Sequence, residues 1–276
     1  METLELRVGP FRYSALADGP PDGDLVLLLH GFPETSYEWR AQLTALARAG
    51  YRAVAPDQRG YARGARPPEV AEYHIDHLVR DVLGFADALG AERFHLVGHD
   101  WGGFVAWYAG GRHGERLRSL CVVSTPHPTP FRAAMSGSDQ RERSSYIQWF
   151  RTPDAEAVFL ADDAALLDAA YAEHPPDAAA QYHRVFTADG GAALTGGLNW
   201  YRANDFAAAI DSITVPTMYV WSTGDVALGR EAAEGTAAEV AGHYRFEVLP
   251  DVSHWIPELA ADALNSLLLE HLSTAE

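Results

Sequence analysis

Four short apolar runs, spaced by helix-like stretches, leave this chain few possible folds. They are "DLVLLLH", "YRAVAPD", "RFHLVGH" and "LRSLCVVS". A strand on a half-solvated sheet alternates apolar and polar residues, and these runs do not. They read as strands buried on both faces, the condition of a parallel sheet with helices on each side. The segments between them carry helix signals. "TSYEWRAQLTALARAG" offers Thr35 or Ser36 as cap and Gly50 as stop. A second helical pattern covers Ile75 to Leu89 and is stopped by Gly90; "WGGFVAWYAGGRH" supplies a third. This βαβαβα rhythm predicts an α/β fold.

The rhythm stops near Pro128. From there to Ile213 the chain is Ala-rich, aromatic and helix-like, broken at "PHPTP", "HPP" and "GG", and no apolar run resembles a core strand. Strands resume at "VPTMYVWS" and "YRFEVLP", and a helix over Ile256 to Leu272 closes the chain. The pattern predicts an α/β core from residues 1–127 and 214–276, with a helical lid, 128–213, inserted into it. A substrate then binds between the two, above the C-terminal strand edges.

Composition excludes several functions. The formal net charge of −17 repels nucleic acid and anionic membrane surfaces, so neither is an expected partner. All 21 basic residues are Arg. Without lysine there is no P-loop lysine, no Schiff base and no lysine general base. The single cysteine, Cys121, lies in an apolar run and reads as inert core. The first residues hold no apolar stretch suited to a signal peptide, and "LVLLL" is too short to span a bilayer. The expectation is a soluble, cytoplasmic, cofactor-independent protein with no bound metal. Nothing in the sequence sets an oligomeric state.

The chemistry concentrates at "VGHDWGG", Val97 to Gly103. A strand precedes it directly, a helix follows, and Gly98, Gly102 and Gly103 allow a tight turn. That is the outline of a nucleophile elbow, which lifts one side chain above the sheet at a helix N-terminus. Its central residue is Asp100, not serine. An Asp N-cap alone would also place a carboxylate here, but it would not require three glycines. Two later strand ends supply partners in the order acid, then histidine: Asp225 in "STGDVALG" and His254 in "PDVSHWIPE". His99 turns towards the sheet and reads as structural. His74 and His77, in "HIDH", lack a third ligand and read as helix surface. "HGFPE", His30 to Glu34, follows an earlier strand. It offers the Phe32 backbone N–H for an oxyanion hole, with the Trp101 N–H as second donor. An aromatic residue before Pro33 in a tight turn favours a cis bond.

Aspartate in this seat has a chemical reason. The reference pKa of Asp is about 3.9, so it attacks without a base. A carboxylate attacking saturated carbon gives an ester, and water activated by His254 can cleave that ester. Serine would give an ether, which water does not readily cleave. The expected reaction is therefore displacement at sp³ carbon, either epoxide opening or carbon–halogen cleavage.

With these residues in view, the sequence resembles the α/β-hydrolase-fold epoxide hydrolases, in particular the hydrolase domain of the soluble ones. The matching stretches are "HGFPETSYEWR", "APDQRGY", "PPEVAEYHIDHLVRDV", "GHDWGGFVAWY", "NWYR" and "SHWIPE". The resemblance implies a small apolar epoxide and water as substrates, a vicinal diol as product, and two lid tyrosines that hydrogen-bond and protonate the epoxide oxygen. "LNWYR" maps the second onto Tyr201, and "SSYIQWFRTP" offers Tyr146 as the first; Tyr171 and Tyr182 are competitors. Trp101, Trp149, Phe150, Phe186 and Trp200 are expected to form an apolar pocket. "GYARGARP" departs from the family's usual "GYGxS" turn, and no phosphatase domain is expected. A haloalkane dehalogenase, with Trp101 and Trp149 holding halide, is one alternative; a catalytically silent ligand-binding scaffold is another.

Overall fold

The computed structural model describes residues 1–274. Among them, eight strands form one sheet: β1 (Glu2–Val8), β2 (Phe11–Asp18), β3 (Leu25–Leu29), β4 (Arg52–Pro56), β5 (Phe94–His99), β6 (Leu117–Val123), β7 (Thr217–Ser222) and β8 (Tyr244–Leu249). Their order is β1-β2-β4-β3-β5-β6-β7-β8. From β4 to β8 neighbouring strands run parallel, while β2 is antiparallel to both β1 and β4. This is the α/β architecture expected from the sequence, a mostly parallel sheet with helices on its faces. All five residues of β3 and all six of β5 are buried, as their unbroken apolar character requires. The β1–β2 hairpin, which no apolar run announces, alternates exposed and buried positions in β2 and turns at Gly9, φ +55°. That alternation marks an edge with one wet face.

Twelve α-helices follow in chain order among the described residues. The sheet is covered by α1 (Arg40–Arg48), α2 (Ile75–Ala88) and α3 (Trp101–Arg112). Thr35 starts the first through a short 3₁₀ turn, its hydroxyl accepting from the Tyr37 N–H. Between β6 and β7 lie α4 (Pro128–Ala134), α5 (Ser138–Arg143), α6 (Tyr146–Phe150), α7 (Ala155–Ala170), α8 (Pro176–Thr187) and α9 (Ala192–Ala203). The backbone of α7 is interrupted at Ala161–Ala164, where Asp162, Asp163 and Ala164 take positive φ. After β7 comes α10 (Arg230–Gly235). The single closing helix expected from the sequence is two, α11 (Ile256–Leu259) and α12 (Ala261–Ser273), separated at Ala260 (φ −127°, ψ 37°). There the Pro257 carbonyl accepts from the Gln42 side chain at 3.0 Å, tying the break to α1.

The sheet divides two apolar cores. One holds β3, α2, α3 and the helical insertion through residues such as Leu27, Phe85, Trp107 and Trp200. The other packs α1 and α12 on the opposite face through Leu43, Leu268 and Val220. Cys121 is fully buried in the second core, where burial pushes its thiol up. No described helix is long and apolar enough to cross a membrane.

Candidate active site

The C-terminal ends of β3, β5, β7 and β8 carry four loops to one place. β5 lies inside the sheet, between β3 and β6, and its last residue hands directly to Asp100. Asp100 takes φ 49°, ψ −118° and caps α3. Two close approaches hold this turn. A Cβ at Gly102 would lie 2.1 Å from the Leu29 carbonyl oxygen, and one at Gly31 would lie 2.5 Å from the Asp100 Cβ. Only glycine permits either approach. Thr125 Oγ1 donates to the Asp100 carbonyl at 2.8 Å and fixes the elbow from β6.

The Asp100 carboxylate is held between two loops. The Phe32 N–H donates to Oδ1 at 2.8 Å, and His254 Nε2 lies 3.5 Å from Oδ2. The Phe32–Pro33 peptide is cis. Trp101 opens α3, so its N–H belongs to the set that a helix leaves without an internal partner. On the far side of the imidazole, His254 Nδ1 meets Asp225 Oδ2 at 2.8 Å. Asp225 is buried, and its Oδ1 accepts from the N–H groups of Ala227 (2.8 Å) and Leu228 (3.0 Å). Arg143 of α5 donates to the Asp225 carbonyl at 2.8 Å. Burial alone would lower the His254 pKa. The carboxylates of Asp225 and Asp100 outweigh it and hold the imidazole well above its ordinary value. In this resting arrangement the imidazole lies between the Asp225 and Asp100 side chains.

Beneath His254 lies a buried polar layer that the sequence reading did not single out. Its backbone carbonyl accepts from Ser124 Oγ at 2.9 Å and lies 3.0 Å from His99 Nε2. His99 Nδ1 sits 3.2 Å from Glu34 Oε2 and 3.3 Å from Glu38 Oε2. Glu34 Oε1 meets His174 Nε2 at 3.2 Å. Burial raises both carboxyls. The His174 and His99 contacts overcome it at Glu34, whose pKa falls well below the usual range, while the Glu34 charge pushes Glu38 well above. One carboxylate and one carboxylic acid side by side is the expected result for such a pair. The signal available in sequence was the last residue of "HGFPE" and a second Glu four positions on.

Two tyrosines of the insertion face Asp100. Tyr146 begins α6 and Tyr201 lies in the last turn of α9. Their ring centroids are 6.3 Å apart, and Tyr201 is edge-on to Trp101 at 4.9 Å. Burial is the largest cause raising both phenols, and the Asp100 charge adds to it, so both stay protonated at neutral pH. The competing tyrosines are engaged elsewhere. Tyr171 donates to the Pro33 carbonyl at 2.7 Å, and Tyr182 to Glu258 Oε1 at 2.6 Å.

Two cavities meet here. A cleft of about 510 Å³ is lined by Phe32, Phe150, Phe159, Ala170, Val226 and His254, among others. A chamber of about 40 Å³ lies between Trp101, Phe104, Phe131, Phe206 and Leu228. Among the described residues, only Asp100, Tyr146 and Tyr201 line both. Trp101 and Phe150 are thus wall residues, but three side chains expected in the pocket are not. Trp200 donates its indole N–H to the Arg59 carbonyl at 2.8 Å and packs behind Trp101. Phe186 packs edge-on against Phe32 and Tyr61, at 5.9 Å from each, and supports the wall from outside. Trp149 packs on Phe150 and Phe159 at 5.1 and 5.0 Å. Trp200 and Phe186 are fully buried against core residues, and Trp149 is half-buried against its aromatic neighbours. His74 caps α2 by accepting from the Asp76 N–H, and His77 faces Arg80 and Glu72 on the surface.

Residues 24–261 match the family model described as alpha/beta hydrolase fold. The chain is 37% identical over 268 residues to the AB hydrolase superfamily protein YfhM of Bacillus subtilis, covering 93% of this chain and 92% of that protein. It is 32% identical to epoxide hydrolase A of Mycobacterium tuberculosis, covering 96% and 95%. A solved epoxide hydrolase structure from hot-environment metagenomes superposes with a TM-score of 0.87 at 31% identity, over 98% of each chain.

Proposed function

For a chain that belongs to the α/β-hydrolase-fold family and resembles its epoxide hydrolases, we propose that it opens epoxides to vicinal diols through an ester on Asp100. One observation carries the reading: Asp100, Tyr146, Tyr201 and His254 line one cleft, and His254 is held by Asp225.

The first half needs a nucleophile and an acid. An Asp100 oxygen attacks an epoxide carbon and the ring C–O bond breaks. The released oxygen takes a proton from Tyr146 or Tyr201 while the other phenol donates a hydrogen bond to it. Halide departure needs no proton, so paired phenols favour epoxide over carbon–halogen chemistry. Trp149 points the same way, since its ring packs in the insertion and is not placed to hold a halide beside Trp101.

The second half needs a base. Alkylation removes the Asp100 charge and, with it, one of the two anions that keep His254 protonated. The proton can then leave through the phenolate formed in the first half. Neutral His254, oriented by Asp225, takes a proton from water, and the hydroxide attacks the ester carbonyl carbon. The oxyanion forms where the Phe32 N–H already donates, with the Trp101 N–H as second donor. Collapse expels the diol oxygen, which takes the proton held by His254; the Asp100 carboxyl then passes its own proton to His254, and carboxylate and charged imidazole are restored. The sum is epoxide plus water to diol.

The test is incubation of the purified chain with styrene oxide and with 1-bromobutane, assaying diol and bromide together. Diol from the epoxide without bromide supports the proposal. Bromide release alone establishes the dehalogenase reading, and neither product leaves a binding scaffold.

A further inference from the structure

The two cavities differ in size and in what walls them, and the residues at their junction are those proposed to carry the reaction. Asp100, Tyr146 and Tyr201 form a neck that opens into the cleft on one side and the chamber on the other. An epoxide reacting at that neck has its ring between the carboxylate and the phenols. Substituents on its two ring carbons then point into different cavities. Resting on the proposed reaction, the geometry points to a substrate of marked asymmetry: an epoxide with a bulky apolar arm on one carbon and a much smaller group on the other.

The chamber sets the smaller side. Its volume of about 40 Å³ compares with about 510 Å³ for the cleft. Its walls are rings in mutual contact. Phe206 packs against Trp101, Phe104 and Phe131 with centroids 5.5, 5.2 and 5.6 Å apart, and Leu228 closes another side. Close-packed rings do not part cheaply for an extra group. The cleft is built the opposite way. Its volume of about 510 Å³ lies in the range that holds most of a drug-sized ligand. Ala169, Ala170 and Ala172 supply short side chains on one wall, and Val226 at the rim is 73% exposed. The last residues of α7 and the loop after β7 thus give an apolar arm room to run outward. Phe131 and Leu228 are the specificity-determining residues of the small side, and Ala170 of the large one.

Three epoxides of increasing demand on the second carbon test this: styrene oxide, trans-β-methylstyrene oxide and trans-stilbene oxide. On the full chain, the first two are expected to react with kcat/KM within about tenfold of each other, and stilbene oxide about a hundredfold more slowly, a spread in line with hydrophobic pocket discrimination. Phe131→Ala and Leu228→Ala are each expected to raise the stilbene-to-styrene ratio of kcat/KM about tenfold or more. A ratio is independent of how much of a variant folds, and the two variants alter different walls. Ala170→Trp is expected to raise the propylene oxide to styrene oxide ratio. Equal rates for styrene and stilbene oxides in the wild type, or an unchanged ratio in both chamber variants, overturn the asymmetry while leaving epoxide hydrolysis intact. If the wild type opens no epoxide of the panel, the proposed function itself fails, and the substrate assignment with it.

Discussion

Replacing Asp100 with Asn removes a single negative charge without changing the shape of the elbow, and it isolates what that charge does to His254. The Nε2–Oδ2 distance is 3.5 Å. At an effective dielectric of 20, opposite unit charges at that distance attract by about 5 kcal/mol, and in a water-like medium by about 1 kcal/mol. His254 is buried and Asp100 half-buried at the cleft, so the effective value lies between these limits. The His254 pKa is therefore expected to fall in Asp100→Asn, by the free energy of that lost attraction. Burial, which opposes the charged imidazole, is unchanged, and Asp225 remains in place. The direction is therefore fixed by the lost charge. The measurement is a ¹⁵N NMR titration of the imidazole in both proteins. An unchanged His254 pKa would refute the idea that Asp100 governs the protonation of His254. The switch from resting cation to working base would then need another cause. The same shift bears on turnover, because the alkylated enzyme has the charge state of Asp100→Asn. The pH at which ester hydrolysis gains its base is expected to match the His254 pKa of that variant, not of the resting wild type.

Other consequences follow from the same geometry. His254→Ala is expected to leave alkylation largely intact and to accumulate a covalent adduct of one substrate mass by intact-protein mass spectrometry; repeated turnover near the wild-type rate rules the assignment out. Tyr201→Phe and Tyr146→Phe are each expected to slow pre-steady-state alkylation by about 2–3 kcal/mol, the order of one lost oxyanion donor, and unchanged rates in both remove the phenols from the mechanism. Single turnovers in ¹⁸O-water are expected to place label in the Asp100 peptide, and label confined to the diol excludes an ester. Because the folded-state pKa of His254 is raised, its pairing stabilises the fold fully below its ordinary value of about 6.5 and is lost as pH rises through the raised value. The Tm advantage over His254→Gln is therefore expected to narrow with rising pH, and a constant gap refutes the linkage.

Most of the fold was legible because its signals are local. Buried parallel strands must be apolar throughout, so β3, β5, β6 and β7 announce themselves in a few residues each. The β1–β2 hairpin did not, because an edge strand with a wet face alternates and carries charge. The placement of Asp100, Asp225 and His254 was legible for a related reason. Each follows a strand whose end is fixed by its sequence, and a parallel sheet gathers those ends on one edge. The buried layer of Glu34, Glu38, His99 and His174 was harder to read. It joins the "HGFPE" loop, β5 and the segment before α8 through contacts up to 140 residues apart.

The pocket walls show where local signals stop. Trp149 and Phe150 are neighbours on α6, yet Phe150 lines the cleft and Trp149 packs away from it. Trp200 and Tyr201 are neighbours on α9, and they too diverge: one indole is spent on the Arg59 carbonyl, while the phenol faces Asp100. Successive helical residues point about 100° apart, so docking decides which of each pair meets the cavity. The insertion docks through an aromatic cluster centred on Phe32, whose ring touches Phe150, Phe159, Phe186 and Tyr201. Phe32 is also the residue whose N–H binds Asp100. The side chain that seats the insertion and the backbone group that holds the nucleophile therefore belong to one residue. A shift of the insertion that moved Tyr146 or Tyr201 would pull on the donor of the oxyanion site as well.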